Sequence, residues 1–434
     1  MHPSPKRVSL LQHVARGGIV KQAAIVFASS MLVNACNYLF HLLNSRRLGV
    51  EGYGVLASMI ALLSLATVSS TIFQLVVAKT GAELYAAEDG PRLRRLATLV
   101  MRLSGISFVV ILIVGALCGH LVGAFLQVAD VPTVMLTVSS IAVALVFPGP
   151  RGYFQAIHDF RALAISTSLE AVGRVGLGVA LVYAGFGVRG ALVGATLGPL
   201  LGLAYTFAVM VRARAGEHAA LKPDLRRLLQ TLGGTTASTV AIGMLSFADV
   251  LLVKHLFDAD QSGLYSALSL VGRILLFAVG FLPTVVLPTA VARASSGRDP
   301  TPLLVQAGAL ALAVSGAGVV LCVLFPGLVL HLIAGAAFVP AAALLPPYAA
   351  AMAMLGLANV AIVYKIGLHR FDFVLPTCAI AIAEIVGFAV FHGSLWAIVR
   401  TLFIGHTLVF LTSLRGIRAP LAAVVAVPQQ AEVA

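Results

Sequence analysis

Residues 231–291 are TLGGTTASTVAIGMLSFADVLLVKHLFDADQSGLYSALSLVGRILLFAVGFLPTVVLPTAV, two apolar runs joined by a short polar turn at 257–262. Each run is long enough to cross a bilayer, which takes about 20 apolar residues. The first run contains Asp249 and the second contains Arg273. A charge near the bilayer centre costs at least about 2.5 kcal/mol, so such residues face a bundle interior or a water-filled cavity. This stretch therefore predicts two membrane-spanning helices that contribute charged side chains to an internal site.

The whole chain has the composition of a membrane protein. Of its 434 residues, 60% are hydrophobic and 10% are charged, whereas soluble domains are about 25% charged. Hydropathy predicts about twelve spans, and hence an all-α integral membrane protein. The spans fall near 22–44, 53–78, 99–125, 132–156, 162–184, 187–211, 231–256, 263–290, 303–333, 341–365, 373–391 and 394–414. A basic loop after the sixth span predicts two six-helix lobes, residues 1–222 and 223–434.

The distribution of Lys and Arg predicts the orientation in the membrane. One alternating set of loops and termini holds 20 of these residues, whereas the opposite set holds only Arg46, Arg47, Arg189 and Lys254. Cytoplasmic loops are enriched in Lys and Arg, so both termini are expected in the cytoplasm. The net charge of +13 is thereby assigned to topology, and we expect no nucleic-acid partner.

The two lobes show a weak internal repeat. A shift of 212 residues places Asn37 on Asp249 and Tyr53 on Tyr265. In each lobe a polar residue in mid-span is followed by a short turn and by a Tyr that opens the next span. Parallel repeats related by a pseudo-twofold axis along the membrane normal are one known transporter plan.

Proline and glycine predict local features of the spans. Pro283 and Pro288 predict that the second quoted run is interrupted. Glycine recurs at every fourth position from Gly190 to Gly202, which predicts close packing of the sixth span on a neighbour. A GxGxxG pattern at 185–190 joins two apolar spans and lacks the preceding strand of a dinucleotide site, so we interpret it as a connection.

Other charges inside spans are further site candidates. Glu170 and Arg174 are spaced i,i+4, which allows either a structural ion pair or a role in lining a cavity. Glu384 is a lone carboxylate, either a protonation site in coupled transport or a neutral hydrogen-bonded acid. Asn37 fits either an interhelical hydrogen bond or cavity contact. For Arg102, Arg151 and Arg400, at span ends, we expect the guanidinium group to snorkel to the interface.

The sequence contains no recognised catalytic motif. GxSxG, HExxH and GxxxxGK[ST] are absent, so we predict no enzyme activity, metal or cofactor. The four cysteines, Cys36, Cys118, Cys322 and Cys378, lie in apolar runs without metal-ligand spacing, and we expect buried free thiols.

Two segments resemble a known family. RRLGVEGYGVLAS at 46–58 and FADVLLVKHLFDADQSGLYSALSLVGRILLFAVGFLPTVVLPTAVAR at 247–293 resemble matching hairpins of Wzx-type polysaccharide-unit flippases. These belong to the multidrug/oligosaccharidyl-lipid/polysaccharide exporter superfamily, so the resemblance implies a MATE-like fold. Asp249, Tyr265 and Arg273 match the pattern of the second hairpin.

The resemblance also implies a function. It suggests a bacterial inner-membrane flippase that moves an undecaprenyl-diphosphate-linked oligosaccharide to the outer leaflet, coupled to a proton or sodium gradient. Membrane lipids, a polysaccharide polymerase and a chain-length regulator are the partners that would then be expected. The alternatives are a drug or cation antiporter of the same superfamily, and a membrane-bound polysaccharide polymerase or ligase.

These observations give a set of predicted site residues. The substrate-binding candidates are Arg273, Arg174, Asn37 and Tyr265, and the ion-coupling candidates are Asp249, Glu384 and Glu170. Arginine suits a diphosphate because its planar fork binds phosphate oxygens bidentately. The structural alternative for Arg273 is an ion pair with Asp249.

Overall fold

The computed structural model describes residues 19–213, 225–296, 298–368 and 370–417, and these are almost entirely helical, with no strand among them. The α-helices are α1 Ile19–Ala86, α2 Gly90–Phe125, α3 Val131–Val146, α4 Pro148–Ala156, α5 Phe160–Leu181, α6 Gly187–Ala213, α7 Leu225–Leu256, α8 Ala259–Ala278, α9 Leu282–Ser295, α10 Thr301–Leu324, α11 Pro326–Ile333, α12 Leu345–Gly367, α13 Val374–Val390 and α14 Leu395–Ser413. A π-helical turn, Val182–Phe186, follows α5, and a 3₁₀ segment, Ala336–Leu344, precedes α12.

The all-α membrane prediction is confirmed. Each of the twelve predicted spans lies on helix. Within the described ranges, nine helical runs are long and apolar enough to cross a membrane. Two of them, Ile25–Ala86 with 62 residues and Phe160–Arg212 with 53, are each long enough for two crossings, as the sequence predicts.

Glycines with positive φ mark the points where these long runs change direction. Gly49 breaks α1 with φ of 70°. Gly185 and Gly187, with φ of 95° and 55°, join α5 to α6. Only glycine adopts such angles without steric cost, because a Cβ would clash with the following carbonyl oxygen. The GxGxxG pattern therefore serves as a connection between helices.

The predicted interruption near Pro283 is also confirmed. Helix α8 ends at Ala278 and α9 begins at Leu282, immediately before Pro283. Proline has no amide hydrogen and its ring clashes with the carbonyl four residues earlier, at Val279. The predicted interruption at Pro288 is wrong, because this proline lies inside α9.

The described helices form two compact units. Unit 1 takes its residues from Met1–Leu48 and Ala66–Leu229, and unit 2 from Gly49–Leu65 and Gln230–Ala434. Residues 49–65 thus fall in unit 2, although the predicted lobe 1–222 includes them. The predicted boundary between residues 222 and 223 lies outside the described residues.

Each unit has its own apolar core. In unit 1, buried side chains of α1, α2, α4, α5 and α6 pack together around Tyr153 and Phe154. In unit 2, α9, α10 and α12 pack together around Val286, Leu304 and Tyr364. Lipid is as apolar as these side chains, so close van der Waals packing holds the helices together.

An ion pair outside the apolar spans joins two helix ends of unit 1. Asp130 caps the N-terminus of α3, and Arg189, near the start of α6, donates from Nε to its Oδ2 over 2.9 Å. The hydrogen bonds from Arg189 and Thr133 hold the pKa of Asp130 at about 2. The pair therefore ties the start of α6 to the start of α3.

Candidate functional site

A cavity of about 280 Å³ lies inside unit 1, between α1, α4 and α5. Its lining includes three charged side chains, Arg151, Glu170 and Arg174. The other lining residues are Ser29, Ser30, Val33, Asn34, Asn37, Thr167 and Ala171. The structure thus brings three of the predicted site residues, Asn37, Glu170 and Arg174, to one polar cavity.

Close packing of α6 on α5 fixes the helix that carries Glu170 and Arg174. A Cβ placed on Gly198 would lie 2.4 Å from the backbone nitrogen of Arg174, and one on Gly194 would lie 2.3 Å from Gly178. These distances are shorter than any normal contact, so a larger residue at either position would force the helices apart. The predicted close packing is confirmed, and it sets the position of both charged side chains.

Glu170 pairs with an arginine on a different helix from the one the spacing suggested. Its carboxylate accepts a hydrogen bond from Nη2 of Arg151 on α4. Arg151 also stacks on the Phe147 ring, with its Cζ 3.8 Å from the ring centroid. The expectation that Arg151 snorkels is therefore wrong, because a carboxylate and an aromatic face bind it inside the unit. The side chains of Arg102 and Arg400 are exposed.

Arg174 and Asn37, which both line the cavity, have buried polar atoms without partners in the described structure. The Cζ of Arg174 lies 5.5 Å from the centroid of the Phe40 ring. Among the described atoms, its buried Nε has no hydrogen-bond partner, and neither has Oδ1 of Asn37. A buried polar group left unpaired costs about 1–3 kcal/mol, which a ligand with matching groups would recover.

Unit 2 contains a buried carboxylate with two tyrosine donors. The Tyr265 hydroxyl donates to Oδ2 of Asp249 over 3.0 Å, and the Tyr348 hydroxyl donates to the same atom over 2.8 Å. The Tyr348 ring packs directly against Gly272 of α8, where any Cβ would lie only 2.4 Å from the ring. Asp249 is 1% exposed, and its Oδ1 has no partner among the described atoms. Tyr348, which lies 99 residues from Asp249 along the chain, was not among the predicted site residues.

Arg273 does not take the structural role that we considered for it. The carboxylate of Asp249 hydrogen-bonds to the two tyrosines, whereas the guanidinium of Arg273 lies over the Phe247 ring, 4.5 Å from the centroid. Nε and Nη2 of Arg273 are buried and have no hydrogen-bond partner in the described structure. Two donors of a charged group are therefore unsatisfied in unit 2.

Glu384, the lone carboxylate of its predicted span, lies beside a histidine that was not among the predicted site residues. Oε1 of Glu384 lies 3.7 Å from Nε2 of His406, and both side chains are buried. These residues come from α13 and α14 of unit 2.

The described residues contain no group of three or more His, Cys, Asp or Glu side chains arranged to hold a metal ion. All four cysteines are free thiols, as expected, but only Cys36 and Cys322 are buried. Cys118 is exposed and Cys378 is half-buried. The expectation of burial is thus wrong for these two.

Comparison with known proteins assigns the family. A family model described as "Polysaccharide biosynthesis protein" matches residues 19–292, more than half of the chain. The chain belongs to this polysaccharide biosynthesis family. No curated protein matches the sequence.

Solved structures show the fold of this family member to be that of MATE transporters. An inward-facing multidrug resistance MATE transporter of the MOP superfamily has a TM-score of 0.73 at 12% identity, covering 93% of this chain and 98% of its own. A MATE protein in a bent conformation has a TM-score of 0.64 at 12% identity, over 93% and 96% of the two chains. A MOP superfamily transporter from Pyrococcus furiosus, described as having a binding pocket of reverse polarity, has a TM-score of 0.58 at 13% identity, over 93% and 96%. The chain is therefore a multi-pass membrane protein of MATE-like fold.

Proposed function

We propose that this protein is a transporter that moves a diphosphate-linked lipid oligosaccharide from the cytoplasmic to the outer leaflet of a bacterial inner membrane. The observation that carries this proposal is the set of buried guanidinium nitrogens without partners: Nε of Arg151, Arg174 and Arg273, and Nη2 of Arg273. A diphosphate supplies several anionic oxygens that accept from such donors. The polysaccharide biosynthesis family supports a sugar-bearing substrate.

The charge balance of the unit 1 cavity favours an anion. Its two guanidinium groups and one carboxylate leave one positive charge when all are ionised. The carboxylate, Glu170, is engaged by Arg151 and is not free to bind a cationic drug. The Nε of Arg174 has no hydrogen-bond partner among the described atoms, and we propose that this guanidinium binds a phosphate oxygen. These features argue against the alternative of a drug or cation antiporter.

Asn37 is a further proposed substrate contact, whereas Tyr265 is proposed to act through Asp249. The half-buried Asn37 lines the same cavity as Arg174, where its amide suits sugar hydroxyls or phosphate oxygens. Tyr265 is fully buried against Asp249, so we propose that it acts by holding this carboxylate in place.

We also propose that an ion gradient drives transport through buried carboxylates. Asp249 and Glu384 are the two candidates in unit 2, since each is buried and has one oxygen without a partner. Glu170 is the candidate in unit 1, where its ion pair with Arg151 would be remade in each transport cycle.

Reconstituted flipping tests the substrate. The full chain would be placed in proteoliposomes with a fluorescent polyprenyl-diphosphate sugar, and the outer-leaflet fraction would be read with a membrane-impermeant quencher. Arg174→Ala should slow flipping strongly, and Arg102→Ala, at an exposed position, is the matched control. Wild-type vesicles that export ethidium but do not flip the lipid would establish the antiporter instead.

Cysteine labelling tests the proposed orientation. In a cysteine-free background, an impermeant maleimide added outside cells should modify a cysteine at Asp260 and not one at Glu217, which lies outside the described residues. The reason is that the loop of Glu217 lies in the Lys- and Arg-rich set. Labelling of Glu217→Cys from outside would reverse the assignment.

A further inference from the structure

His406 is held between two backbone carbonyl groups at the centre of unit 2. Its side chain is 0% exposed. Nδ1 lies 3.0 Å from the oxygen of Ala351 on α12, and Nε2 lies 3.1 Å from the oxygen of Leu245 on α7. A carbonyl oxygen only accepts, so both contacts are hydrogen bonds only if both ring nitrogens carry a proton. A neutral imidazole has one such proton, whereas the imidazolium ion has two.

A buried imidazolium needs a counter-charge, and Glu384 supplies it. Oε1 of Glu384 lies 3.7 Å from Nε2 of His406, and the glutamate is 4% exposed. Its Oε2 has no hydrogen-bond partner among the described atoms. A Cβ on Gly405 would lie 2.0 Å from this oxygen, so only glycine beside His406 gives the carboxylate room.

Other charged and titratable groups lie on the helices around the pair. Asp249 on α7 acts electrostatically on both His406 and Glu384. Tyr348 on α12 and Tyr265 on α8 both donate to Asp249. Tyr265 also interacts electrostatically with Glu384. Arg273 on α8 acts on Tyr348.

We propose that His406, balanced by Glu384, carries the exchangeable proton that couples this transporter to a gradient, a role that rests on the proposed function. In the loaded state the ring donates to α7 and α12 together, so α14 is tied to both helices. Release transfers one ring proton to water on one side of the membrane, and reloading takes one proton from water on the other side. The ring without that proton keeps only one of the two hydrogen bonds, and α14 is then free of one neighbour.

The same arrangement selects a proton over a metal cation. An imidazolium between two carbonyl oxygens occupies the oxygen atoms that would ligate sodium. Its positive charge also repels a second cation in a medium of low dielectric constant. Sodium would therefore have to displace the proton from His406 before it could bind at Glu384.

Nuclear magnetic resonance of the purified full chain, with ¹⁵N-labelled histidine and no substrate, tests the proton site directly. We expect the His406 ring, assigned by its loss in His406→Gln, to be doubly protonated at about pH 6. In Glu384→Gln the ring should be singly protonated at the same pH, because its counter-charge is gone. His331→Gln, at an exposed position, is the control and should leave the His406 signal unchanged. A singly protonated His406 in the wild type, or an unchanged ring in Glu384→Gln, would overturn the proposal.

Two further readouts keep this test separate from variant misfolding and from the proposed function. Glu384→Gln keeps the side-chain shape, and a monodisperse elution profile shows that it is folded. In proteoliposomes, a pH gradient should accelerate lipid flipping by the wild type and by His331→Gln, and not by Glu384→Gln or His406→Gln. Acceleration by a sodium gradient at equal pH on both sides would overturn the proton assignment. If the wild type flips no diphosphate lipid, the proposed function fails, and the spectra still decide whether His406 carries the proton.

Discussion

Arg273 gives the sharpest test of the proposed substrate site. Its buried Nε and Nη2 have no partner among the described atoms, and its guanidinium lies over Phe247. A hydrogen bond to a charged group contributes about 1.5–3 kcal/mol. Two such bonds to a diphosphate would contribute about 3–6 kcal/mol, which corresponds to roughly 10²–10⁴-fold in apparent affinity. Arg273→Ala should therefore raise the lipid concentration needed for half-maximal flipping by this factor.

The effect on stability should be much smaller. Arg273→Ala loses the cation–π contact, about 0.5–2 kcal/mol, and breaks no ion pair with Asp249. Adding Asp249→Ala to the Arg273→Ala protein should therefore not restore any lost stability. Arg273→Lys keeps the charge without the planar fork and should fall between the wild type and Arg273→Ala.

The assay is the initial rate of flipping in proteoliposomes over a range of lipid concentrations, with protein folding checked by elution profile. Arg400→Ala, which removes an exposed arginine, is the control and should behave as the wild type. A folded Arg273→Ala protein with unchanged concentration dependence would refute the reasoning. So would a large loss of folded protein that Asp249→Ala reverses.

Three further predictions concern packing, the tyrosine contacts and the outer ion pair. Gly198→Ala places a Cβ 2.4 Å from the backbone of α5 and should lower the unfolding free energy by about 1–3 kcal/mol. The control is Gly176→Ala, whose Cβ would have no atom within 4 Å and should leave the unfolding free energy unchanged. Denaturation in mixed micelles measures both variants. Tyr348→Phe removes one of two donors to a buried carboxylate and should cost about 1.5–3 kcal/mol in the same assay, and no change would show that the contact is not a hydrogen bond. Arg189→Ala should raise the pKa of Asp130 from about 2 toward its ordinary value near 3.9, as read by ¹³C resonance. Because that pKa is depressed in the folded state, the pair stabilises the protein above about pH 4, and the contribution is lost as pH falls toward about 2.

Local patterns in the sequence predicted the features that depend on neighbours along the chain. Hydropathy predicted the helices, Pro283 predicted the break between α8 and α9, and the glycine repeat predicted the close contact of α5 and α6. Each of these rests on backbone chemistry or on residue size at a fixed spacing. Such properties act over a few residues and are therefore visible without a structure.

Contacts between distant residues could not be predicted in the same way. Tyr348 and His406 lie 99 and 161 residues from their partners on α7. Hydropathy locates the helix that carries each residue, but it does not show which distant side chain or backbone group that residue contacts. Charged residues do stand out, which is why Asp249, Arg273 and Glu384 were found.

The ion pair of Glu170 shows how a local rule can be overridden. The i,i+4 spacing puts Arg174 on the same face of α5, yet Arg151 on α4 binds the carboxylate. Helix α4 begins at Pro148, directly after α3 ends at Val146, and this break was not predicted inside the span 132–156. Because the sequence predicted one long helix over this span, we expected Arg151 near the end of that helix, at the lipid interface.

The assignment of residues 49–65 to unit 2 has a consequence for how the protein is made. This segment is synthesised early, but the rest of its unit begins only at Gln230. Tyr53, Leu56 and Met59, all buried in the finished structure, leave the ribosome long before the helices that cover them. The newly made N-terminal half is therefore incompletely folded, because residues 49–65 remain in the lipid without their packing partners until unit 2 is synthesised. Unit 2 cannot be made as one uninterrupted fragment, and a gene cut between the two predicted lobes would deprive it of this segment.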